Sequence, residues 1–406
     1  MLDKLCHHRL NRGLNVELKT DFDVIVVGGS VSGLLAARGI AESGCTVKVL
    51  EDDLEIGLPE RCDGLVSLKG LEAIGMAPTS SIVQNRIKRA VISSPKGESV
   101  DIDAERQKVL VLDRSRFDRE LAGLAARSGA EIEVGQRVTA HKEADGAVLV
   151  ETQQASYTSK WMINATGYTA LTRNSKSTLP AAKYEVYGDW FDSETIDIYF
   201  DQKRSPGYFT WVIPMSGDTA KVGVAGWGGN QFRLLDEFVK KHRGVAYKKI
   251  AAQIVVGGPL DRFVSGRVIA VGDAAGQAKP TTGGGIYSGG LGGLLAGRCV
   301  AESVKSGDVA EIGRYEEAWR KLFGGEFKTL LRLRRILDRL DNDQIDQMFK
   351  AVASSGILEK ISLESDFDHH SMAILRSLGL KNVFKIASIV ASDLLEGLPR
   401  LGRTSE

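Results

Sequence analysis

Cysteine is scarce in this sequence, and long apolar runs are missing from it. The 406 residues include four cysteines, Cys6, Cys45, Cys62 and Cys299, whose spacing makes no CxxC pair and no zinc pattern. Few, scattered cysteines argue against a disulfide framework and indicate a reducing compartment, so we expect a cytoplasmic protein. No stretch of about 18 consecutive apolar residues occurs, so no membrane-spanning helix is predicted.

A surplus of charge is also lacking. Lysine and arginine total 53, aspartate and glutamate total 52, and the formal net charge is +1. We therefore expect no nucleic acid as the main partner, and there is no overall attraction to anionic lipid. Hydrophobic residues make up 43% of the chain, which is ordinary for a globular protein and allows a substantial core. Glycine is abundant, with 45 copies, and many of them cluster in two loops, where the backbone can approach a ligand closely.

The first of these loops follows a short apolar strand at residues 24–27. It reads GGSVSG, so Gly28 and Gly33 match the outer glycines of G-x-G-x-x-G, and Ser30 replaces the middle one. A helix that starts here offers unpaired N–H groups and a partial positive charge to a diphosphate. Glu51, at the end of the next strand, can accept hydrogen bonds from a ribose. The residues predicted to bind the dinucleotide here are Gly28, Gly29, Ser30, Ser32, Gly33, Glu51 and Asp52.

The second loop indicates which dinucleotide is bound. A buried strand at residues 268–271 runs into Gly272 and Asp273, and three successive glycines then open a helix. Asp273 can accept hydrogen bonds from a ribityl chain, and the glycine N–H groups can face the pyrimidine edge of a flavin. A NAD enzyme needs no such second site, so the cofactor is predicted to be FAD. The residues predicted to contact its flavin half are Gly272, Asp273, Ala274, Gly283, Gly284, Gly285 and Ile286.

Three further residues are predicted to contact the cofactor. Arg114 can reach its phosphates or ring, although an ordinary surface salt bridge is the alternative. Ala165 and Gly167 end a strand beside the expected nucleotide site. No second nucleotide-binding βαβ unit is recognisable, so the reducing electrons are expected from a ferredoxin-like carrier or from transiently bound NAD(P)H.

The predicted fold class is α/β, or α+β overall. A Rossmann-like FAD-binding domain with a parallel sheet is followed by alternating, aromatic-rich segments, which predict an inserted antiparallel-sheet substrate domain. A C-terminal helical region completes the chain. The expected limits are a polar N-terminal extension at 1–20, the FAD-binding domain at 21–75, 106–175 and 263–322, the substrate domain at 76–105 and 176–262, and the helical region at 323–406.

Three motifs resemble those of the geranylgeranyl reductase family, which has the p-hydroxybenzoate hydroxylase-type fold. The segment IGLPERCDGLVS at 56–67 is similar to the family's cysteine loop, and 272–285 is similar to its flavin-closing segment. The segment SPGYFTWVIP at 205–214 is similar to P-x-x-Y-x-W-x-F-P, with Phe209 at the motif's Tyr and Ile213 at its Phe. The resemblance covers roughly residues 20–350.

The resemblance implies a reductase of isolated double bonds in polyprenyl chains, with a geranylgeranyl glycerolipid of archaeal-type membranes as substrate. It implies that Cys62 is catalytic, by positioning or proton delivery, and that Arg61 and Cys62 lie near the flavin; an inert thiol is the alternative. It also implies contacts to the substrate from Tyr208, Phe209, Trp211 and Pro280. For the aromatic residues, ordinary packing within a sheet is the alternative.

Other interpretations stay open at this point. A flavin monooxygenase or halogenase would share the fold, and a flavin electron-transfer protein would share the cofactor. Arginines at 332, 334, 335 and 339 lie among leucines. They predict peripheral contact with a membrane surface or with an acidic carrier, unless they are only the solvated face of a helix.

Overall fold

The computed structural model describes residues 20–169, 177–353 and 367–368. The strands are, in chain order, β1 (Phe22–Val27), β2 (Val47–Leu50), β3 (Leu65–Ser67), β4 (Val83–Ile87), β5 (Arg89–Ser93), β6 (Ser99–Asp103), β7 (Val109–Leu112), β8 (Glu131–Glu133), β9 (Val138–Ala144), β10 (Ala147–Thr152), β11 (Ser156–Asn164), β12 (Thr178–Tyr187), β13 (Thr195–Phe200), β14 (Phe209–Ser216), β15 (Thr219–Ala225), β16 (Val245–Val255), β17 (Val264–Ser265) and β18 (Val268–Ala270). The α-helices are α1 (Val31–Glu42), α2 (Leu68–Ala73), α3 (Arg114–Arg127), α4 (Gln231–Lys241), α5 (Ile286–Ser306), α6 (Gly313–Leu337) and α7 (Asn342–Ala353).

The first sheet is built around parallel strands. Its order is β17-β18-β11-β1-β2-β8, and β10 and β9 extend β11 as an antiparallel hairpin. The four residues Val24–Val27 of β1 are all buried, as expected for a strand covered on both faces. Strand β1, helix α1 and strand β2 form the predicted βαβ unit, with β1 and β2 parallel. The predicted α/β fold class is confirmed.

The second sheet has seven strands in the order β16-β12-β15-β14-β13-β5-β6. Its neighbours are antiparallel except for the pair β13 and β5. Helix α4 covers one face, where Tyr184, Val222 and Leu235 share a buried cluster. The opposite face carries Trp211 and Ile213 in a cluster with residues of β7. This sheet matches the inserted antiparallel sheet expected from the alternating pattern.

A small three-stranded sheet is formed by strands that are interleaved in the chain with those of the two large sheets. Its order is β3-β7-β4, so β4 pairs with β7 and not with the neighbouring β5. The expected domain limits, which assign β4 to the substrate domain, stay a prediction. The predicted extension lies outside the described residues up to position 19, as does the predicted helical region at 354–366 and 369–406.

Helix α5 crosses α1 at very short range, and this crossing positions the site. A side chain at Gly293 would overlap the carbonyl oxygen of Ser32, and one at Gly297 would overlap that of Ala36. Gly289 likewise faces the backbone of Gly272. Because these α5 glycines recur every fourth residue, they lie on one face of the helix. The close approach brings the start of α5 next to the start of α1.

Candidate flavin site

The turn after β1 has no room for side chains. Gly28 has a φ of 111°, and a Cβ there would overlap the carbonyl oxygen of Ala165. A Cβ at Gly33 would overlap the carbonyl oxygen of Gly28. Both predicted glycines are therefore required by the backbone, the first by its conformation and the second by the packing of helix on turn. Gly167, with a φ of 70°, follows Ala165 at the same edge of the sheet.

The two helices of the predicted site begin without a side-chain cap. Ser30 precedes α1 and Gly285 precedes α5, and neither makes a capping hydrogen bond. By contrast, side chains cap α2, α3 and α4. Uncapped first turns leave N–H groups available to an anion or to a carbonyl-type acceptor. This is the arrangement that a dinucleotide requires at its diphosphate and at its flavin.

The two predicted loops meet in the structure. A Cβ at Gly272, whose φ is 61°, would overlap the Ser32 side chain. Asp273 and Ala274 lie in the short helical turn Gly272–Ala275. A Cβ at Gly285 would lie 3.4 Å from Oδ1 of Asp273, so the acidic residue and the glycine loop face each other. Two segments separated by more than 230 residues thus form one site.

Glu51 is tied to the first turn. One of its carboxylate oxygens accepts a hydrogen bond from the Gly29 N–H, and the other accepts from the Asp53 N–H at 3.0 Å. Burial raises the pKa of Glu51, although these two backbone donors oppose the rise. The carboxylate is therefore fixed beside the turn, where it was predicted to bind a ribose.

Two residues that were predicted to bind the cofactor form ion pairs with partly exposed side chains of the same chain. Asp52 forms a bidentate pair with Arg137, at 2.7 and 2.8 Å. Arg61 donates to Asp53 at 3.0 Å. Neither side chain is brought to the Gly28–Gly33 turn by these contacts, so their cofactor role stays a prediction without support from the geometry.

Arg114 is buried, and it forms an ion pair with Asp118 one helical turn later. Its guanidinium lies 2.9 Å from Asp118 and donates to the Ser30 hydroxyl at 3.1 Å. Burial lowers the pKa of Arg114, but Asp118 and Cys62 beside it raise that pKa by more. Burial raises the pKa of Asp118 despite the nearby guanidinium. The i, i+4 spacing of Arg114 and Asp118 is a signal in the sequence for this ion pair.

The part of the 56–67 segment that surrounds Cys62, residues 60–63, is here named the cysteine loop. It is held by lysines that sequence reasoning missed. Lys183 of β12 and Lys221 of β15 are 1% and 0% exposed. Lys221 Nζ lies 2.8 Å from the Glu60 carboxylate, and Lys183 Nζ donates to the carbonyl oxygens of Glu60 and Cys62 at 2.7 and 2.9 Å. Burial raises the pKa of Glu60, but Lys221 and other lysines lower it more strongly, to about 2. Cys62 itself is exposed.

Three of the predicted substrate residues form one aromatic cluster. The rings of Tyr208 and Phe209 are stacked at 4.1 Å, and Trp211 meets both of them edge-on. A Cβ at Gly283 would lie 3.2 Å from the Tyr208 hydroxyl, so the cluster adjoins the predicted flavin loop. Among the described residues, the buried Tyr208 hydroxyl has no hydrogen-bond partner. Pro280 is also buried beside this loop.

The basic stretch at the end of α6 and just beyond it is only partly exposed. Arg332, Arg335 and Arg339 are exposed, whereas Arg334 is buried. Its guanidinium lies 5.3 Å from the Tyr208 ring centre and 2.8 Å from Asp338. The expectation that Arg334 faces a membrane or a carrier is therefore wrong, because the aromatic cluster and Asp338 hold it inside.

A distant segment closes the glycine loop. Lys279 Nζ donates to the Phe367 carbonyl oxygen at 2.7 Å, and Ser67 donates to the Asp368 carboxylate. Lys279, Phe367 and Asp368 line a small cavity together with Gly284 and Ile286. Sequence gave no signal for this contact, because Phe367 lies 88 residues from Lys279.

The fold and the two joined loops define an FAD-binding flavoprotein. A family model described as FAD binding domain matches residues 21–234, which is more than half of the chain. Digeranylgeranylglycerophospholipid reductase 1 of Methanopyrus kandleri is 30% identical over 374 residues, covering 84% of this chain and 99% of the relative. The chain therefore belongs to the FAD-binding digeranylgeranylglycerophospholipid reductase family, which confirms the resemblance and the FAD prediction.

Solved structures agree on the fold. A geranylgeranyl bacteriochlorophyll reductase-like protein of Thermoplasma acidophilum aligns with a TM-score of 0.78 and 24% identity, covering 91% of this chain and 99% of that one. A p-nitrophenol 4-monooxygenase of Pseudomonas putida aligns with a TM-score of 0.66 and 17% identity, covering 86% and 98%. Because reductases and monooxygenases share this fold, the fold does not select between their reactions.

Proposed function

We propose that this protein is an FAD-dependent reductase that hydrogenates isolated C=C bonds of geranylgeranyl chains in archaeal-type membrane glycerophospholipids. The observation that carries the proposal is the aromatic cluster of Tyr208, Phe209 and Trp211 against the Gly283 loop. An apolar, aromatic wall beside the flavin loop suits a hydrocarbon chain. The family relationship supports the same substrate class.

The residues available fit the chemistry that such a reduction needs. Reduced FAD supplies a hydride, and with it both electrons, when it is bound. The alkene carbon that does not receive the hydride must receive a proton, and positive charge develops on the more substituted carbon. The faces of Phe209 and Trp211 can stabilise that charge, by up to about 2 kcal/mol where water is excluded.

Cys62 is the residue that we assign to proton delivery or to positioning of the reacting chain. Its thiol is accessible, and its loop adjoins the aromatic cluster through the hydrogen bond from Trp211 to Asp63, at 2.8 Å. Arg114 supplies a fixed positive charge that acts on Cys62. Ser30, Ser32 and the glycines of both loops are the residues that we propose to hold the cofactor.

The substrate has to come from a membrane, and the electrons have to come from a partner. Within the described ranges, no helix has the length and apolar character needed to cross a bilayer. We propose that the protein is cytoplasmic, touches the membrane peripherally, and uses the exposed arginines at 332, 335 and 339 for that contact. A ferredoxin-like carrier or NAD(P)H is the proposed electron donor.

The test is an anaerobic incubation of the reduced holoprotein with a geranylgeranylated glycerophospholipid. Mass spectrometry of the lipid is expected to show the gain of two hydrogens per step, accompanied by flavin reoxidation seen in the visible spectrum. If the lipid gains no mass and the flavin stays reduced, the proposal is wrong. Rapid oxygen consumption with NAD(P)H and a small aromatic compound would instead favour a monooxygenase.

A further inference from the structure

Two lysines on neighbouring strands are buried without any exposure of their charged ends. Lys183 and Lys221 belong to β12 and β15, which pair so that Lys221 lies opposite Glu185 and Lys183 lies opposite Gly223. Lysines are almost never fully buried unless they are paired. Withdrawing such a charge from water costs several kcal/mol, which must be offset by good geometry and by partners for the ammonium donors. The same residues that offset this cost form the cysteine loop.

The ammonium groups replace the backbone hydrogen bonds that the cysteine loop lacks. Within the part of the chain that the structure describes, residues 60–63 make no backbone-to-backbone hydrogen bond. Instead, Lys183 donates to the carbonyl oxygens of Glu60 and Cys62. Lys221 donates to those of Asp63 and Leu112, at 3.0 and 3.1 Å. Carbonyl oxygens that an irregular segment turns away from water need such partners. The position of Cys62 is thus set by Lys183 directly.

Asp63 connects this anchor to the aromatic cluster. Its carboxylate accepts a hydrogen bond from the Trp211 indole at 2.8 Å and lies 3.6 Å from Lys183 Nζ. Gly223 makes the connection possible, because a side chain there would overlap the Trp211 ring. A continuous set of contacts therefore runs from Trp211 through Asp63 and Lys183 to the backbone of Cys62.

We propose that Lys183 is the positioning residue of Cys62, and that Asp63 couples it to Trp211, so that the aromatic wall and the thiol move as one unit. This inference rests on the proposed function for its meaning in catalysis. The geometry of the loop, however, can be measured without any substrate. Lys183 touches no reacting atom, and it acts through the loop that it holds.

The chain offers a matched control for this proposal. Lys221 is equally buried, lies on the adjacent strand and bonds the same loop, but its acceptors do not include Cys62. Lys183→Met and Lys221→Met each remove one buried ammonium while keeping an unbranched apolar chain. Both are expected to lower thermal stability, and only the first is expected to release the Cys62 carbonyl.

The experiment measures the alkylation rate of Cys62 by iodoacetamide in the flavin-loaded protein, mapped to that cysteine by peptide mass spectrometry. Thiols react fastest when a cation lies beside the sulphur, and the Arg114 guanidinium is the cation whose charge acts on Cys62. Loss of the anchor is expected to slow alkylation about fivefold or more in Lys183→Met, against less than about twofold in Lys221→Met. A rate that is unchanged or faster in Lys183→Met would overturn the proposal, as would equal slowing in both variants.

A second, milder variant keeps the test open if Lys183→Met does not fold. Asp63→Asn preserves shape while weakening the contact to Lys183, and it is expected to slow alkylation about threefold, more than Lys221→Met does; no slowing beyond that control would contradict the coupling. In turnover, Lys183→Met is expected to lower kcat about tenfold with KM nearly unchanged, since the wall that binds the chain is retained. A wild-type protein that does not reduce lipid would remove the proposed function and leave the alkylation result interpretable.

Discussion

The nucleotide turns and the cysteine loop are built by opposite means. At Gly28, Gly33 and Gly272 the fit depends on the absence of side chains, because any Cβ would meet backbone or side-chain atoms. At the cysteine loop the fit depends on long side chains from far away in sequence, with Lys221 lying 161 residues from Glu60. The nucleotide turns cannot accommodate added side-chain volume, whereas the cysteine loop cannot lose one of its charged partners. The two regions should therefore fail in different ways when they are altered.

The largest effect is expected at the first turn. Gly33→Ala places a methyl group against the Gly28 carbonyl oxygen, which must push helix α1 away from the turn. We expect the purified variant to retain almost no FAD, as measured by the ratio of visible to protein absorbance. The loss should not be recovered by refolding with added flavin.

Gly39→Ala is the matched control on the same helix. Its nearest neighbours would lie 3.8 Å from the new methyl group, an ordinary contact, and alanine favours a helix over glycine by about 1 kcal/mol. This variant should bind FAD normally and unfold at the same or a higher temperature. Equal flavin loss in both variants would show that the turn is not limited by volume.

The next effect concerns charge at the cysteine loop. Glu60 is buried beside Lys221, and its pKa is lowered from 4.5 to about 2. Because the folded-state pKa is depressed, the carboxylate stabilises the fold above pH ~4.5, and that stability is lost as the pH falls through ~2. Glu60→Gln is expected to lower the free energy of unfolding at pH 7 by roughly 3 kcal/mol, measured by denaturant titration.

A surface pair supplies the control for Glu60. Glu133 pairs with Lys48 at 2.8 Å and remains partly exposed, so Glu133→Gln should change the free energy of unfolding by less than about 1 kcal/mol. The difference between the variants should also shrink between pH 4.5 and pH 2, the range in which Glu60 becomes protonated. A Glu60 effect that does not depend on pH would mean that packing, and not charge, holds the loop.

This contrast explains what the sequence could and could not predict. The glycine turns are local signals, since a strand, a spaced set of glycines and a helix lie together in the chain. Asp273 and Gly285 were assigned for the same reason, and the structure places them face to face. Lys183 and Lys221 gave no comparable signal, because a lysine in an alternating strand is ordinarily read as solvent-facing.

Arg334 illustrates the same limit. Its position among other arginines on α6 favoured a solvated basic face, but the helix turns it toward the ring of Tyr208. Which face of a helix is buried depends on the partner that covers it, and here that partner is about 125 residues earlier in the chain. The burial of Arg334 and of both lysines became visible only with the tertiary contacts.

Substitution of Cys62 separates a chemical role of the cysteine loop from a purely structural one. Cys62→Ala removes an exposed thiol and leaves the loop carbonyls with Lys183. If the thiol delivers a proton, turnover of the geranylgeranyl lipid should fall about a hundredfold, as is typical of general acid groups. Flavin content and melting temperature should stay unchanged. Full turnover would leave Cys62 without a role in the reaction.

The smallest expected effect lies in the seven-stranded sheet away from the loop. Asp197 of β13 is half-buried with Asp192 nearby, and burial first, then that neighbour, raises its pKa to about 6. Because the folded-state pKa is raised, the protonated form favours folding. The contribution of Asp197 to stability is fully present below pH ~4 and is lost as the pH rises through ~6. After allowance for solvent screening, Asp197→Asn should raise the free energy of unfolding by about 1 kcal/mol at pH 7.

The neighbouring Asp192 gives the opposite sign and so makes the test selective. Its carboxylate accepts hydrogen bonds from the Glu194 N–H and the Thr195 hydroxyl, and the Glu194 contact is the main cause of its lowered pKa. Asp192→Asn should therefore destabilise the protein at pH 7, whereas Asp197→Asn should stabilise it at pH 7 and have little effect at pH 4. If Asp197→Asn stabilises equally at both values, its charge is not the cause. In this sheet, removal of a buried charge would then destabilise the protein only where, as at the cysteine loop, it leaves an oppositely charged partner unpaired.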